Sequence, residues 1–105
     1  AVYSIDAATG KPTLIQTEDT RGMHVRTFHI HPSGKLLVAA NMRIRSVFVD
    51  GKPQPVPGGL SVYRITNDGR LQFVRKHDID VSKANLFWMG MVEPAAASNI
   101  TGETP

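Results

Sequence analysis

The sequence predicts an all-β protein built from short strands, and three observations lead to this prediction. Apolar segments of strand length alternate with turn signals rich in Gly, Pro, Asn and Asp. No segment has a convincing helical period. One pair of predicted strands recurs about 60 residues further along the chain. The length of 105 residues allows one small domain with a modest core.

The clearest element is a hairpin in the first half of the chain. Its first strand, Arg26 to His31, alternates polar and apolar side chains, and its second strand, Leu36 to Ala40, is apolar throughout. Pro32-Ser33-Gly34 lies between them and has the residue types of a tight turn. Because a continuously apolar strand is typical of burial on both faces, we expect Leu36 to Ala40 to be covered on both sides.

The same region resembles a known family. The pattern Arg-x-Phe-x-x-His-Pro-x-Gly-Lys-x-Leu-Val-x-x-Asn, from Arg26 to Asn41, resembles the repeat of the seven-bladed propeller lactonases of the 6-phosphogluconolactonase and carboxymuconate cyclase type. Val2 to Asp6, followed by Thr9-Gly10-Lys11, resembles another part of that repeat. The resemblance covers roughly residues 1–92. It implies the C-terminal portion of a β-propeller, a small-molecule lactone substrate, no cofactor and a cytoplasmic location.

The remaining elements follow from apolar runs between turns. Strands are predicted at Ala1 to Ile5, Leu14 to Thr17, Val47 to Val49, Leu60 to Ile65, Leu71 to Lys76 and Leu86 to Val92. Between Lys52 and Gly59 the chain is rich in proline, which predicts an irregular surface loop. From Glu93 to Pro105 small and polar residues dominate, so we expect residues 1–92 to form propeller blades and 93–105 a flexible tail.

The repeat predicts a partial β-propeller. Val2-Tyr3-Ser4-Ile5 recurs as Val62-Tyr63-Arg64-Ile65, each followed by a glycine turn and a strand, which is typical of propeller blades. The positions of the two copies along the chain indicate one full four-stranded antiparallel blade and parts of two neighbouring blades. Because blades bury their faces against each other, we expect either self-association or missing blades to cover the apolar faces. The chain is then a piece of a longer propeller or a truncated relative.

Composition argues against several other classes of protein. The hydrophobic fraction of 41% and the charged fraction of 20% are ordinary for a soluble globular chain. The net charge of +3 is spread along the sequence without a basic run, so we expect no nucleic-acid partner. No apolar run reaches membrane-spanning length, so we expect no membrane partner. Cysteine is absent, which excludes disulfides and thiolate metal sites.

The candidate catalytic residues are Arg26 and His24. Lactone hydrolysis needs an activated water and a positive or hydrogen-bonding group where oxyanion charge develops. Arg26 matches the arginine with which the family opens the innermost strand of a blade, and it would stabilise the oxyanion or bind a substrate phosphate or carboxylate. The alternative is an arginine that links adjacent blades. His24 would act as a base near neutral pH, and its alternative is a histidine of a surface loop.

Two residues depart from the family pattern. Val25 stands where the family has proline, and Met42 stands where one catalytic blade has glutamate. His29 and His31 share a face of the predicted strand, but no third ligand lies at a supporting spacing, so we expect no metal site. We expect the complete propeller to hydrolyse a sugar lactone such as 6-phosphogluconolactone and the 105-residue piece alone to be inactive. The alternative is a non-catalytic propeller module that binds a partner or ligand through its channel face and the Lys52 to Gly59 loop.

Overall fold

The computed structural model describes residues 1–81, 84–86 and 88–94, and these residues form strands, turns and irregular segments without a helix. Their strands lie in three antiparallel sheets, two with two strands and one with four. The strands are β1 (Val2–Ile5), β2 (Pro12–Gln16), β3 (Val25–Ile30), β4 (Leu36–Asn41), β5 (Arg45–Val49), β6 (Lys52–Val56), β7 (Gly59–Ile65) and β8 (Leu71–Asp78). The predicted all-β class is confirmed.

The four-stranded sheet is the centre of the fold. Its strand order is β3-β4-β7-β8, and each neighbouring pair is antiparallel. Val38, Ala39 and Ala40 of β4 are buried as expected, but Leu37 is only half-buried and Leu36 is exposed, so the predicted cover is incomplete at the beginning of the strand. β1 and β2 form a separate hairpin, so the open arrangement is that of a partial propeller with one complete blade.

The turns form where glycine and its neighbours predict them. Asp50 and Gly51 have φ angles of 52° and 74°, and two successive positive φ values are the geometry of the type I′ turn that joins twisted strands. Gly69 has a φ of 87° in the turn between β7 and β8. Both turns therefore require a positive φ, which glycine adopts without steric cost.

The interpretation of Lys52 to Gly59 as an irregular loop is wrong. Lys52–Val56 forms β6, which pairs with β5 in a hairpin, and β7 begins already at Gly59. Pro53 and Pro55 are two residues apart, so their nitrogen atoms point to the same edge of the strand. An edge strand tolerates proline when the missing N–H groups face away from its partner. The prolines of this segment are therefore compatible with an edge strand, and they do not indicate a loop.

The predicted strand from Leu86 to Val92 is also not formed in the described part of that segment, which is irregular. Phe87 lies outside the described residues, and so does the predicted tail apart from Glu93 and Pro94. The Leu86 N–H donates to the carbonyl oxygen of Met42 at 2.7 Å, and the Met91 N–H donates to Nδ1 of His29 at 3.2 Å. The described part of the segment thus lies against the four-stranded sheet through single bonds and not through a strand ladder.

Candidate functional site

Arg26 lies in a β-bulge at the beginning of β3. Val25 pairs with Asn41 and Thr27 pairs with Ala40, so Arg26 is the extra residue of the bulge. A bulge interrupts the regular alternation of side chains and re-aims the residue it contains. The Arg26 side chain is exposed to solvent. The backbone therefore presents this cation outside the regular pattern of the sheet.

His24 directly precedes β3 and has an unusual backbone conformation. Its φ is 55°, in the left-handed region that histidine tolerates better than most residues with a Cβ atom. Its carbonyl oxygen accepts the Met42 N–H at 3.3 Å, and the Met23 carbonyl oxygen accepts the same N–H at 3.1 Å. His24 is exposed to solvent. Because the bulge and the left-handed residue both interrupt alternation, the two-residue spacing of His24 and Arg26 does not by itself put them on one face.

A group of buried polar side chains fixes the segment that leads to this site. This segment, residues 17–24, connects β2 to β3 and is called the crossover. The Tyr63 hydroxyl donates to the carbonyl oxygen of Asp19 at 2.6 Å, and the Ser61 hydroxyl donates to that of Thr20 at 2.6 Å. Asn41 Nδ2 donates to Ser61 Oγ at 3.0 Å and to the Thr20 oxygen at 3.3 Å. Asn41, Ser61 and Tyr63, here called the polar anchor, therefore hold the crossover on the four-stranded sheet.

The polar anchor is closely packed. Asn41 and Ser61 are 0% exposed and Tyr63 is 1% exposed. Burial raises the pKa of the Tyr63 hydroxyl, because the charged form would be poorly solvated. Gly22 of the crossover lies so close to Asn41 that a Cβ atom there would come within 2.1 Å of the Asn41 Cγ atom. Sequence reasoning missed this group, although a polar residue directly after the apolar run, as Asn41 is, was a signal that could have indicated it.

An apolar cleft lies between the β1–β2 hairpin and the four-stranded sheet. Its volume is about 420 Å³, and its walls include Val2, Tyr3, Val25, Phe28, Ile30 and Leu37. Phe28 is 59% exposed, which is unusual for a phenylalanine in a sheet with buried neighbours. The cleft leaves apolar surface of two adjacent sheets in contact with solvent.

A second and more polar cleft lies beside the crossover. Its volume is about 300 Å³, and it is lined by Asp19, Arg21, Gly22, Arg45, Val47 and Val56. The Arg21 guanidinium is bound to Glu18 at 2.9 Å and lies 3.9 Å from the ring centre of Phe73, and the bond to Glu18 raises the Arg21 pKa. Arg45 Nη1 lies 3.0 Å from the sulfur of Met23, the residue before His24.

The two histidines considered as metal ligands have protein partners on their Nδ1 atoms. His29 Nδ1 accepts the Met91 N–H, and His31 Nδ1 accepts the Ser33 N–H at 3.0 Å and lies 2.8 Å from the Ser33 hydroxyl. Within the described residues no group of three or more His, Cys, Asp or Glu side chains is arranged to hold a metal ion.

Comparison with known proteins supports the resemblance to the propeller lactonases over part of the chain. The family model described as Lactonase, 7-bladed beta-propeller matches residues 1–50, which include His24, Arg26 and all of β1 to β5. No curated protein and no solved structure matches the chain. The part of the chain that the structure describes contains no helix that is long and apolar enough to cross a membrane. Over its first 50 residues the chain is similar to the lactonase propellers, and its open all-β architecture is consistent with a partial propeller.

Proposed function

We propose that this chain is part of an enzyme that hydrolyses a sugar lactone such as 6-phosphogluconolactone. The observation that carries the proposal is the match of residues 1–50 to the lactonase propeller family. The matched residues include the exposed cation of the β3 bulge and the histidine that precedes it. Both side-chain types have a role in hydrolysis of a cyclic ester.

The proposed chemistry uses one group for charge and one for the proton. Water adds to the lactone carbonyl carbon while His24 accepts its proton, and negative charge develops on the carbonyl oxygen. Arg26 stabilises that charge through its guanidinium N–H groups. The ring C–O bond then breaks, the ring oxygen leaves as a hydroxyl after receiving the proton from His24, and the product is an open-chain carboxylic acid.

We further propose that additional propeller strands cover the apolar cleft. The repeat equates β1–β2 with β7–β8, and β7 carries β4 on the edge that corresponds to the unoccupied edge of β1. Two strands equivalent to β3 and β4 would pair with that edge and bury Phe28 and Ile30. Without them we expect the 105-residue chain to associate with itself at micromolar concentration. Size-exclusion chromatography with light scattering measures this, and a folded monomer would contradict it.

The test of the proposed function is hydrolysis of 6-phosphogluconolactone by the full-length protein and its variants. If Arg26 stabilises the oxyanion, Arg26→Ala lowers kcat by about a hundredfold or more. The matched control is Arg64→Ala, since Arg64 is an exposed arginine of the same sheet that pairs with Leu36 at the opposite end. It should keep the wild-type rate. Unchanged turnover of Arg26→Ala would remove Arg26 from the chemistry, and a full-length protein without lactonase activity would favour a non-catalytic binding module.

A further inference from the structure

The β5–β6 hairpin rises from the same end of the four-stranded sheet as the candidate catalytic residues. It connects the end of β4 to the beginning of β7, and at this end Asn41 pairs with both Val25 and Gly59. His24 and Arg26 flank Val25 in the sequence. The hairpin therefore lies beside the proposed reaction site, on the side of the crossover.

One face of this hairpin forms a wall of the polar cleft. Arg45 pairs with Val56, and Val47 lies two residues after Arg45 on the same face of β5. All three line the cleft, and Asp19 and Gly22 of the crossover line it as well. The cleft thus has an apolar wall from the two valines and charged groups from both segments.

The charges in the cleft differ in how well they are already paired. The Arg21 guanidinium binds Glu18, and the Asp19 carboxylate accepts the Arg21 backbone N–H at 2.8 Å. The acceptor that Arg45 has among the described residues is the neutral sulfur of Met23, which is a weak acceptor. A guanidinium has five N–H donors in a planar fork that matches a carboxylate or phosphate. Arg45 therefore retains donors for an anionic ligand.

We propose that this cleft binds a sugar acid or sugar phosphate. Arg45 pairs with the anionic group, Asp19 accepts hydrogen bonds from sugar hydroxyl groups, and Val47 and Val56 contact the carbon-bound hydrogens. The volume of about 300 Å³ is at the lower end of the range of small-molecule sites, which suits a ligand of this size. The ligand class rests on the proposed function, because sugar acids are the products of sugar-lactone hydrolysis. The hairpin then acts as a specificity element for the anionic group of the substrate.

The test is an NMR titration of the ¹⁵N-labelled full-length protein with three probes, because the 105-residue chain alone is expected to self-associate. Gluconate carries a carboxylate, glucose 6-phosphate carries a phosphate, and glucose is neutral. We expect at least one anionic probe to shift the amide signals of Gly22, Val47 and Val56, and glucose to bind at least about tenfold more weakly. The stronger anionic probe identifies which group Arg45 selects. The absence of shifts with both anionic probes at tens of millimolar would overturn the proposal.

Two variants with the same change in charge make the test specific. Arg45→Gln should weaken the anionic probe by about tenfold or more, because the charge-assisted bonds are lost. Arg43→Gln is the control, since Arg43 is exposed and does not line the cleft. Equal weakening by both variants would show general charge attraction and overturn the assignment. The titration measures binding without turnover. Binding of the probes without lactone hydrolysis would contradict the proposed enzyme activity but not the proposed ligand site. Hydrolysis without binding of the probes would contradict the ligand site but not the enzyme activity.

Discussion

Gly22→Ala tests whether the packing of the crossover on the polar anchor stabilises the fold. The added Cβ would lie 2.1 Å from Asn41 Cγ and 2.4 Å from Asn41 Oδ1, both far inside contact distance. Asn41 is 0% exposed, and its Nδ2 atom donates to Ser61 and to the Thr20 carbonyl oxygen. Either the crossover lifts from the sheet or Asn41 loses its bonds to Ser61 and Thr20.

The magnitude follows from these two outcomes. Overpacking of a well-packed site costs about 1–3 kcal/mol, and leaving a buried hydrogen-bonding group unsatisfied costs about 1–3 kcal/mol. Because lifting of the crossover relieves part of the steric overlap with Asn41, the two costs do not add in full. We therefore expect Gly22→Ala to lower the free energy of unfolding by about 2–4 kcal/mol. With a urea slope of about 2 kcal/mol/M, the unfolding midpoint falls by roughly 1–2 M. Far-UV circular dichroism at one fixed protein concentration measures this midpoint.

A control and a double variant separate packing from the general effect of alanine. Gly90→Ala places a Cβ with no atom within 4 Å, so its effect should stay within about 0.5 kcal/mol. In Gly22→Ala/Asn41→Ala the new methyl group has room, so the double variant should be more stable than the sum of the single effects by at least about 1 kcal/mol. The reasoning is refuted if Gly22→Ala unfolds at the same urea concentration as Gly90→Ala, or if the two changes are simply additive.

Two further predictions concern single hydrogen-bonding groups. Tyr63→Phe removes the bond to the Asp19 carbonyl oxygen, which still accepts a bond from Arg21, so the free energy of unfolding should fall by only about 0.5–1.5 kcal/mol in urea unfolding. A loss above about 3 kcal/mol would contradict this. Hydrogen bonds from the Thr66 hydroxyl, then from Arg70, lower the pKa of Asp68 to about 2. Its stabilising effect is therefore complete above about pH 4 and is lost as the pH falls through 2. The stability difference between the wild type and Asp68→Asn should shrink over that interval, and a constant difference from pH 5 to pH 2 would contradict the assigned pKa.

The features that the sequence predicted correctly depend on local chemistry. The central hairpin was predictable because Pro32-Ser33-Gly34 has residue types that favour a tight turn, and Gly34 indeed has a φ of 74°. The turn at Asp50-Gly51 was predictable for the same reason. The burial of Val38 to Ala40, although not that of Leu36, followed from a run of apolar residues that is typical of a strand covered on both faces.

The features that the sequence did not predict depend on distant partners. Whether Leu86 to Val92 forms a ladder depends on a neighbouring strand, and its described residues make only isolated bonds to Met42 and His29. The bulge at Arg26 depends on the register of β3 against β4, which residue types alone do not fix. The polar anchor joins groups 20 to 44 residues apart in sequence, and only the folded chain brings them together.

The polar anchor connects the stability of the fold to the geometry of the candidate site. His24 belongs to the crossover, and its carbonyl oxygen accepts the N–H of Met42, the residue next to Asn41. Asn41 in turn binds the Thr20 carbonyl oxygen and pairs with Val25 in the ladder. A change that displaces Asn41 therefore disturbs its bond to Thr20, which precedes His24, and its pairing with Val25, which follows His24. We expect the opposite end of the sheet to keep its pairing. As the proposed base, His24 would act only within hydrogen-bonding reach of its water, so we expect lactone hydrolysis to be more sensitive than stability to loosening of this anchor.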